Sequence, residues 1–275
     1  MSEQSLNELA KDRVLPAYRE QYDALTTLFN SLAPSQWPTV TNLPGWDVQA
    51  VASHIMGTEL MLLGDSPTSA ELDDWPAHVR NEIGARNERW VHTLRGDSPD
   101  DMRQRWRDIV ERRSAAMSEL STEQWHAESW TPVGQATYSR FMRIRVYDCW
   151  LHEQDIRDAI GEPGHESGLA VEVALDEIAT GLGYIVGKRA GAPEGSGLTI
   201  RLTGPVDREF HVLVDGRARV VDGLDAPTAT LHLSTGTFAR LTGGRGKVEN
   251  LVEQVSVDGD LELGMRVARN MAFTI

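Results

Sequence analysis

Within the segment FMRIRVYDCWLHEQDIRDAIG, Asp148 and His152 stand four residues apart. On a helix, at about 100° per residue, their side chains converge on one point, the spacing at which a carboxylate and an imidazole can share a metal ion. Phe141, Ile144, Arg145, Leu151, Asp155 and Ala159 fall on the same face. The stripe is therefore mostly apolar, yet it carries two carboxylates and a histidine, and polar groups on a core-facing stripe must be satisfied there. One solution is an internal salt-bridge network, with Arg145 or an arginine of another helix pairing the carboxylates. The other is a metal ion held by Asp148 and His152. The D-x-x-x-H pattern alone does not choose between them. Asp155, three residues beyond His152, is placed either to accept a ring hydrogen from that histidine or to pair with Arg157 or a bundle arginine. Arg145 can bind a substrate carboxylate or neutralise Asp148. Glu153 points away from this face and is expected to be solvated.

His54 lies far upstream, in VQAVASHIMGTELMLLG, on a face shared with Val51, Thr58 and Met61. That setting suits a hydrogen-bonded core histidine or a ligand. An antiparallel bundle that lays this segment beside the later one brings His54 to Asp148 and His152. Two histidines and a carboxylate match open catalytic metal sites, which keep a position for water or substrate. Metal coordination also deprotonates a thiol at neutral pH. The chain has 1 cysteine, Cys149. It is turned about 100° from Asp148 along the helix and reads as a small buried core residue. With no second cysteine to resolve an oxidised form, any thiol used here comes from outside the chain. Trp46 and Trp130 sit beside turns, where tryptophan either lines a pocket or packs a core. Arg240 and Arg245 lie around Leu241-Thr242-Gly243-Gly244, a stretch suited to clamping an anion or to an ordinary solvated loop. His78, His92, His126, His165, His211 and His232 show no ligand spacing and receive no role.

The elements that must position these groups change character along the chain. To about residue 190 the apolar residues recur every three or four, beginning with Leu6, Leu9, Val14, Leu15, Tyr18 and Tyr22, which predicts helices. Asp47 is a plausible cap for the helix that carries His54. Further helices are predicted over 70–94, 99–120, 136–160 and 171–189, with a loop around 130–134. Beyond the glycine-rich stretch 191–197 the pattern alternates, predicting strands over 198–202, 210–214, 229–233 and 255–257 and short helices over 237–241 and 261–268. The chain thus divides into a helical bundle, 1–190, and a small α/β domain, 197–275.

Composition limits the function. The 275 residues carry 27 basic and 41 acidic side chains, a formal net charge of −14. Nucleic-acid binding needs a basic footprint, and adsorption to an anionic membrane does too, so neither partner is expected. The N-terminal segment lacks the apolar run of a signal peptide, and no apolar stretch approaches a membrane span, which predicts a cytoplasmic protein.

LPGWDVQAVASHIMGTE and TPVGQATYSRFMRIRVYDCWLHEQDIRDAIGEP resemble the two signatures of mycothiol-dependent maleylpyruvate isomerase-like proteins, within the DinB-like metal-binding bundle superfamily. The resemblance covers nearly the whole chain. It implies an antiparallel four-helix bundle followed by a sterol-carrier-like α/β domain. It also implies a divalent metal, usually zinc, held by His54, Asp148 and His152, and mycothiol as thiol cosubstrate. The isomerase that names the family has a glutamate where this chain has Asp148; aspartate is common among broader relatives. Together with the residues, the resemblance implies a metal-dependent, thiol-using enzyme of isomerase or S-transferase type acting on a small electrophile. Asp155 and Arg145 are then catalytic candidates, and Arg240 and Arg245 candidates for binding the cosubstrate. A metal-dependent hydrolase using bound water, or a non-catalytic small-molecule or lipid carrier, are the alternatives.

Overall fold

The computed structural model describes residues 9–68 and 75–274. The chain forms two compact units, one running to His165 and the other starting at Glu166. The stretch 191–197, where the change of period predicts a boundary, lies inside the second unit, just ahead of its first strand. Part of the preceding helical segment packs on that unit's sheet, so the change of period marks a change of element and not the end of the unit.

In the first unit, helix α1 (Lys11–Ser31) buries Val14, Tyr18, Tyr22, Leu25, Leu28 and Phe29, the spacing read from the sequence. Leu6, near the head of that run, lies outside the described residues. A 3-10 turn, Pro34–Gln36, follows. Helix α2 (Val48–Leu62) begins where the Asp47 carboxylate accepts the Ala50 N–H at 2.8 Å, satisfying one of the amides that a helix start leaves open. Helix α3 (Glu82–Leu94) starts at an Asn81 cap. Of the helix predicted over 70–94, residues 70–74 lie outside the described residues and 75–81 are not helical. Helix α4 (Pro99–Glu119) opens with a Ser98/Asp101 capping box and Pro99 in its first turn, and a short helix α5 (Thr122–His126) follows.

The segment read as a loop is a hairpin. Strands β1 (Glu128–Thr131) and β2 (Gly134–Thr137) pair antiparallel, with Trp130 opposite Gln135. The pairing takes Ala136 into a strand, so the next helix, α6 (Tyr138–Ile160), starts two residues later than its periodicity predicts, under a Thr137 cap. It ends at Gly161, whose φ of 71° is the left-handed geometry of a helix stop. Helices α4 and α6 each pack against both α1 and α2. Helix α6 is consequently buried almost all round.

Helices α2 and α3 touch closely at Gly57, where a Cβ would stand 2.2 Å from Cγ of Trp90. Trp90 is buried and has no room to retreat. Gly57→Ala is therefore expected to cost about 1–3 kcal/mol or more, as overpacked cores do. Urea unfolding of the two proteins checks this, and an unchanged midpoint would count against the contact.

The second unit is built on a five-stranded sheet: β3 (Gly197–Thr203), β4 (Arg208–Asp215), β5 (Arg217–Val221), β6 (Ala229–Ser234) and β7 (Ser256–Gly259). The order is β5-β4-β3-β6-β7, with β3 and β6 parallel and the other pairs antiparallel. Leu198, Ile200, Val212, Leu231 and Leu233 are buried, and Phe210 stacks on Phe238 at 5.6 Å. Helices α7 (Leu169–Ala179), α8 (Thr235–Thr242), α9 (Val248–Val252) and α10 (Leu261–Arg269) complete it. The single helix predicted over 171–189 is broken after α7 into a turn, Leu182–Tyr184, and a π-turn, Ile185–Arg189. Gly183 and Gly187 there press on Ala218 of β5, where a Cβ at either position would lie 2.7 Å from an Ala218 atom. Following the sheet that closely bends the backbone out of a regular helix. Among the described residues, no helix is long and apolar enough to cross a membrane.

Candidate metal centre

His54 from α2 and Asp148 and His152 from α6 present one donor atom each, all within 4.8 Å of one another. His54 Nε2 lies 3.3 Å from Asp148 Oδ2, and His152 Nε2 lies 3.6 Å from Asp148 Oδ1. Zinc–ligand bonds of about 2.0–2.2 Å put the corners of a tetrahedral site roughly 3.3–3.6 Å apart; the two separations run to different oxygens of Asp148, so a set with one donor per residue, spanning up to 4.8 Å, draws in to hold such an ion. The two imidazoles meet edge to face at 4.7 Å. Both histidines are buried, while the Asp148 side chain is 30% exposed, leaving a way in from solvent.

The ring nitrogens are committed differently. His152 Nδ1 lies 2.9 Å from Asp155 Oδ2, which turns Nε2 toward Asp148 as in the carboxylate–histidine arrangements that orient metal ligands. Asp155 thus meets His152, while Arg157 pairs with Glu153 at 2.8 Å. His54 Nδ1 is buried with no hydrogen-bond partner, so the Nε2 side alone anchors that ring polarly. The Trp46 ring lies 5.4 Å from His54 and 6.2 Å from His152 and walls the site. Its Nε1 donates to Glu88 at 3.0 Å, and His78 reaches the same oxygen at 3.0 Å. Trp130 is half exposed under the Arg86 guanidinium.

Electrostatics favour a charged carboxylate and neutral imidazole. Burial alone raises the Asp148 carboxyl, but Arg145, His54 and His152 outweigh it and hold Asp148 well below the usual range. Burial pushes His54 down, against the pull of Asp148. Anionic carboxylate and neutral imidazole are the forms that bind a cation. Arg145 lies against Asp148: Nη1 donates to Asp148, Nη2 and Nε donate to Glu59 Oε1 at 2.8 and 3.1 Å, and Nη2 also lies 3.2 Å from Cys149 Sγ. Cys149 is fully buried, and burial drives its thiol far above the ordinary value despite Arg145.

Sequence reasoning missed Glu59 and misplaced Glu153. Glu59 is wholly buried and accepts from Tyr18, Tyr22, Arg113 and Arg145. Burial raises this carboxyl, but Arg145 and Arg113 bring it down to about 2. Its signal was a carboxylate in an otherwise apolar helix, with Tyr18 and Tyr22 one turn apart on another. Glu153, expected to be solvated, is buried too: Gln21 donates to it at 2.7 Å, and Arg157 and His165 pair with it. The expectation assumed one solvent face, whereas α6 is enclosed by neighbours.

His165 carries a consequence for pH. Burial lowers its pKa, but Glu153, 2.7 Å from Nδ1, and Glu20, 3.4 Å from Nε2, raise it above the ordinary 6.5 overall. The ion pairs therefore contribute fully below about pH 6.5 and are lost as pH rises through the raised folded value. The Tm advantage of wild type over His165→Gln is expected to shrink between about pH 6 and 9. An advantage that grows with pH contradicts the pairing.

Arg240 and Arg245 belong to the second unit. The ends of Arg240 and Glu166 both close over Gly236, each 2.8 Å from where its Cβ would be. Arg245 Nη1 donates to the Gly243 carbonyl at 2.6 Å.

A helical unit holding a compact His/Asp/His cluster, followed by a unit built on a mixed five-stranded sheet, defines the class of protein. The chain belongs to the mycothiol maleylpyruvate isomerase family: the model of the mycothiol maleylpyruvate isomerase N-terminal domain matches residues 18–157, and that of the MDMPI C-terminal domain matches residues 172–266. Among solved structures, the mycothiol-dependent maleylpyruvate isomerase is similar with a TM-score of 0.59 and 22% identity, covering 91% of this chain and 93% of that one. A variant of that isomerase with a histidine replaced by alanine gives a TM-score of 0.55 and 23% identity, with the same coverage. At such identity the likeness is one of fold. A comparison with curated proteins finds no match.

Proposed function

We propose that this chain is a metal-dependent, thiol-using enzyme of the mycothiol-dependent isomerase or S-transferase type, built as a DinB-like four-helix bundle with a sterol-carrier-like domain. The observation that carries the reading is the convergence of His54, Asp148 and His152 donor atoms within 4.8 Å beside a buried, unreactive Cys149. His54, Asp148 and His152 would hold a divalent ion, zinc being suited to the donors, and when bound it would supply the Lewis acidity that lowers the pKa of an external thiol such as mycothiol.

The chain's own residues prepare that chemistry. Asp155 keeps a hydrogen on His152 Nδ1 and leaves Nε2 as a donor. Arg145 holds Asp148 ionised and oriented, a positioning role in place of direct contact with substrate. Trp46 shields the imidazoles from water on one side. Arg240 and Arg245 are the cationic groups we assign to anionic parts of the cosubstrate. In isomerisation the thiolate adds to a cis double bond conjugated with a carbonyl, and the electron pair moves to the carbonyl oxygen. Rotation about the resulting single bond follows, and return of the pair expels the thiolate unchanged. In an S-transferase the thiol sulfur stays on the product.

A screen of small electrophiles with mycothiol, with glutathione and with no thiol tests the proposal. Turnover is expected only with added thiol; full turnover without one would favour a hydrolase using bound water. Cys149→Ser is expected to keep thiol-dependent activity within about threefold of wild type, because a buried thiol with a raised pKa is not a nucleophile. An inactive Cys149→Ser protein that still holds metal would overturn the external-thiol assignment.

A further inference from the structure

We infer that Glu59 is a positioning residue for the metal centre, acting on Asp148 through Arg145 and setting the local charge that an incoming cation meets. The inference rests on the reading of His54, Asp148 and His152 as a metal site. Glu59 itself approaches none of the three in the ion-pair geometry, and its carboxylate is fully committed elsewhere. Oε1 takes two donors from Arg145, at 2.8 and 3.1 Å; Oε2 takes Arg113 Nε at 2.9 Å, the Tyr22 hydroxyl at 2.8 Å and the Tyr18 hydroxyl. Tyr18 and Tyr22 further bond one another at 2.7 Å. Such a clamp leaves Arg145 one position, with Nη1 on Asp148 Oδ2, the same oxygen that faces His54. The carboxylate plane is thus set before any ion arrives.

Charge points the same way. The chain Arg113–Glu59–Arg145–Asp148, buried up to its Asp148 end, alternates two cations with two anions and is neutral as a whole. Without Glu59 the guanidinium beside Asp148 is uncompensated, and a dication must bind against it. Without Arg113 the cluster gains a net negative charge, and the dication is drawn in. A purely structural role for the cluster makes a different prediction, since deleting either partner would then loosen the site.

Zinc affinity of the full chain, measured by competition with a chromophoric chelator using zinc alone as probe, separates these. Glu59→Gln is expected to weaken binding about 10- to 100-fold, the range seen for groups that orient metal ligands. Arg113→Met is expected to tighten it about threefold or more, since a like charge has been removed. Affinity of Glu59→Gln within about twofold of wild type overturns the inference, as does weakening in both variants. Should Glu59→Gln fail to fold, Arg113→Met decides alone: weaker binding overturns the inference and tighter binding supports it. A wild-type chain that takes up no zinc removes the metal reading itself, whereas zinc uptake indifferent to both substitutions removes only the role of Glu59.

Discussion

His152→Ala is expected to hold about a tenth of an equivalent of zinc or less after reconstitution, against about one in wild type. The size of the effect follows from how few donors there are. Among the described residues, His54, Asp148 and His152 are the cluster able to ligate an ion, and an ion left with two protein ligands lacks the closed half of its coordination sphere. The substitution also removes a hydrogen bond from the buried carboxylate of Asp155. Asp155→Asn, which leaves all three donors in place, is expected to weaken zinc only about 10- to 100-fold. Elemental analysis of proteins purified without a metal-affinity column gives both numbers. Full zinc occupancy in His152→Ala would remove the metal assignment, and thiol-dependent turnover should disappear in step with the metal.

Arg145→Ala is the substitution with the largest expected cost to folding. Its guanidinium is buried against Glu59, also buried, and against Asp148. Removing one partner of a buried ion pair costs about 3–5 kcal/mol, because the other charge is left in the interior without compensation. For a unit of this size that corresponds to a fall in Tm of roughly 6–20 °C. Arg113 and the two tyrosines still reach Glu59, which places the expectation nearer the lower end. The exposed pair Arg219–Asp215 serves as contrast: Arg219→Ala is expected to be close to neutral, since exposed pairs contribute little. Calorimetry of the two variants beside wild type decides it. Equal, small shifts would mean that Arg145 is not holding a buried charge.

What could be read from the chain alone follows local periodicity and spacing. Asp148 and His152 are four residues apart on one helix, so their convergence needs no more than helical geometry. The same holds for Asp155 three residues on, although its contact with His152 waited on the fold. The cap at Asp47, the stop at Gly161 and the alternating strands after 197 are likewise local signals. The single cysteine excluded an internal dithiol by arithmetic. The family resemblance joined His54 to the pair, and the packing of α2 on α6 brings it there in space.

Tertiary structure decided the rest, because burial is a property of neighbours and not of sequence pattern. Glu153 looked like a solvent-facing glutamate from its angle on α6, yet it is buried: α1 and the His165 segment supply Gln21 and His165 as partners, and Arg157 of its own helix pairs with it. Glu59 carried no motif. Its four donor residues come from α1, α4 and α6, up to 86 residues from Glu59 in the chain. The hairpin at 128–137 and the break after Ala179 are set by pairing and by contact with β5. Sequence determined which residues can ligate an ion; only packing determined that Arg145 would be held between Asp148 and a buried glutamate, because a charge is stable inside a protein only where its partners already are.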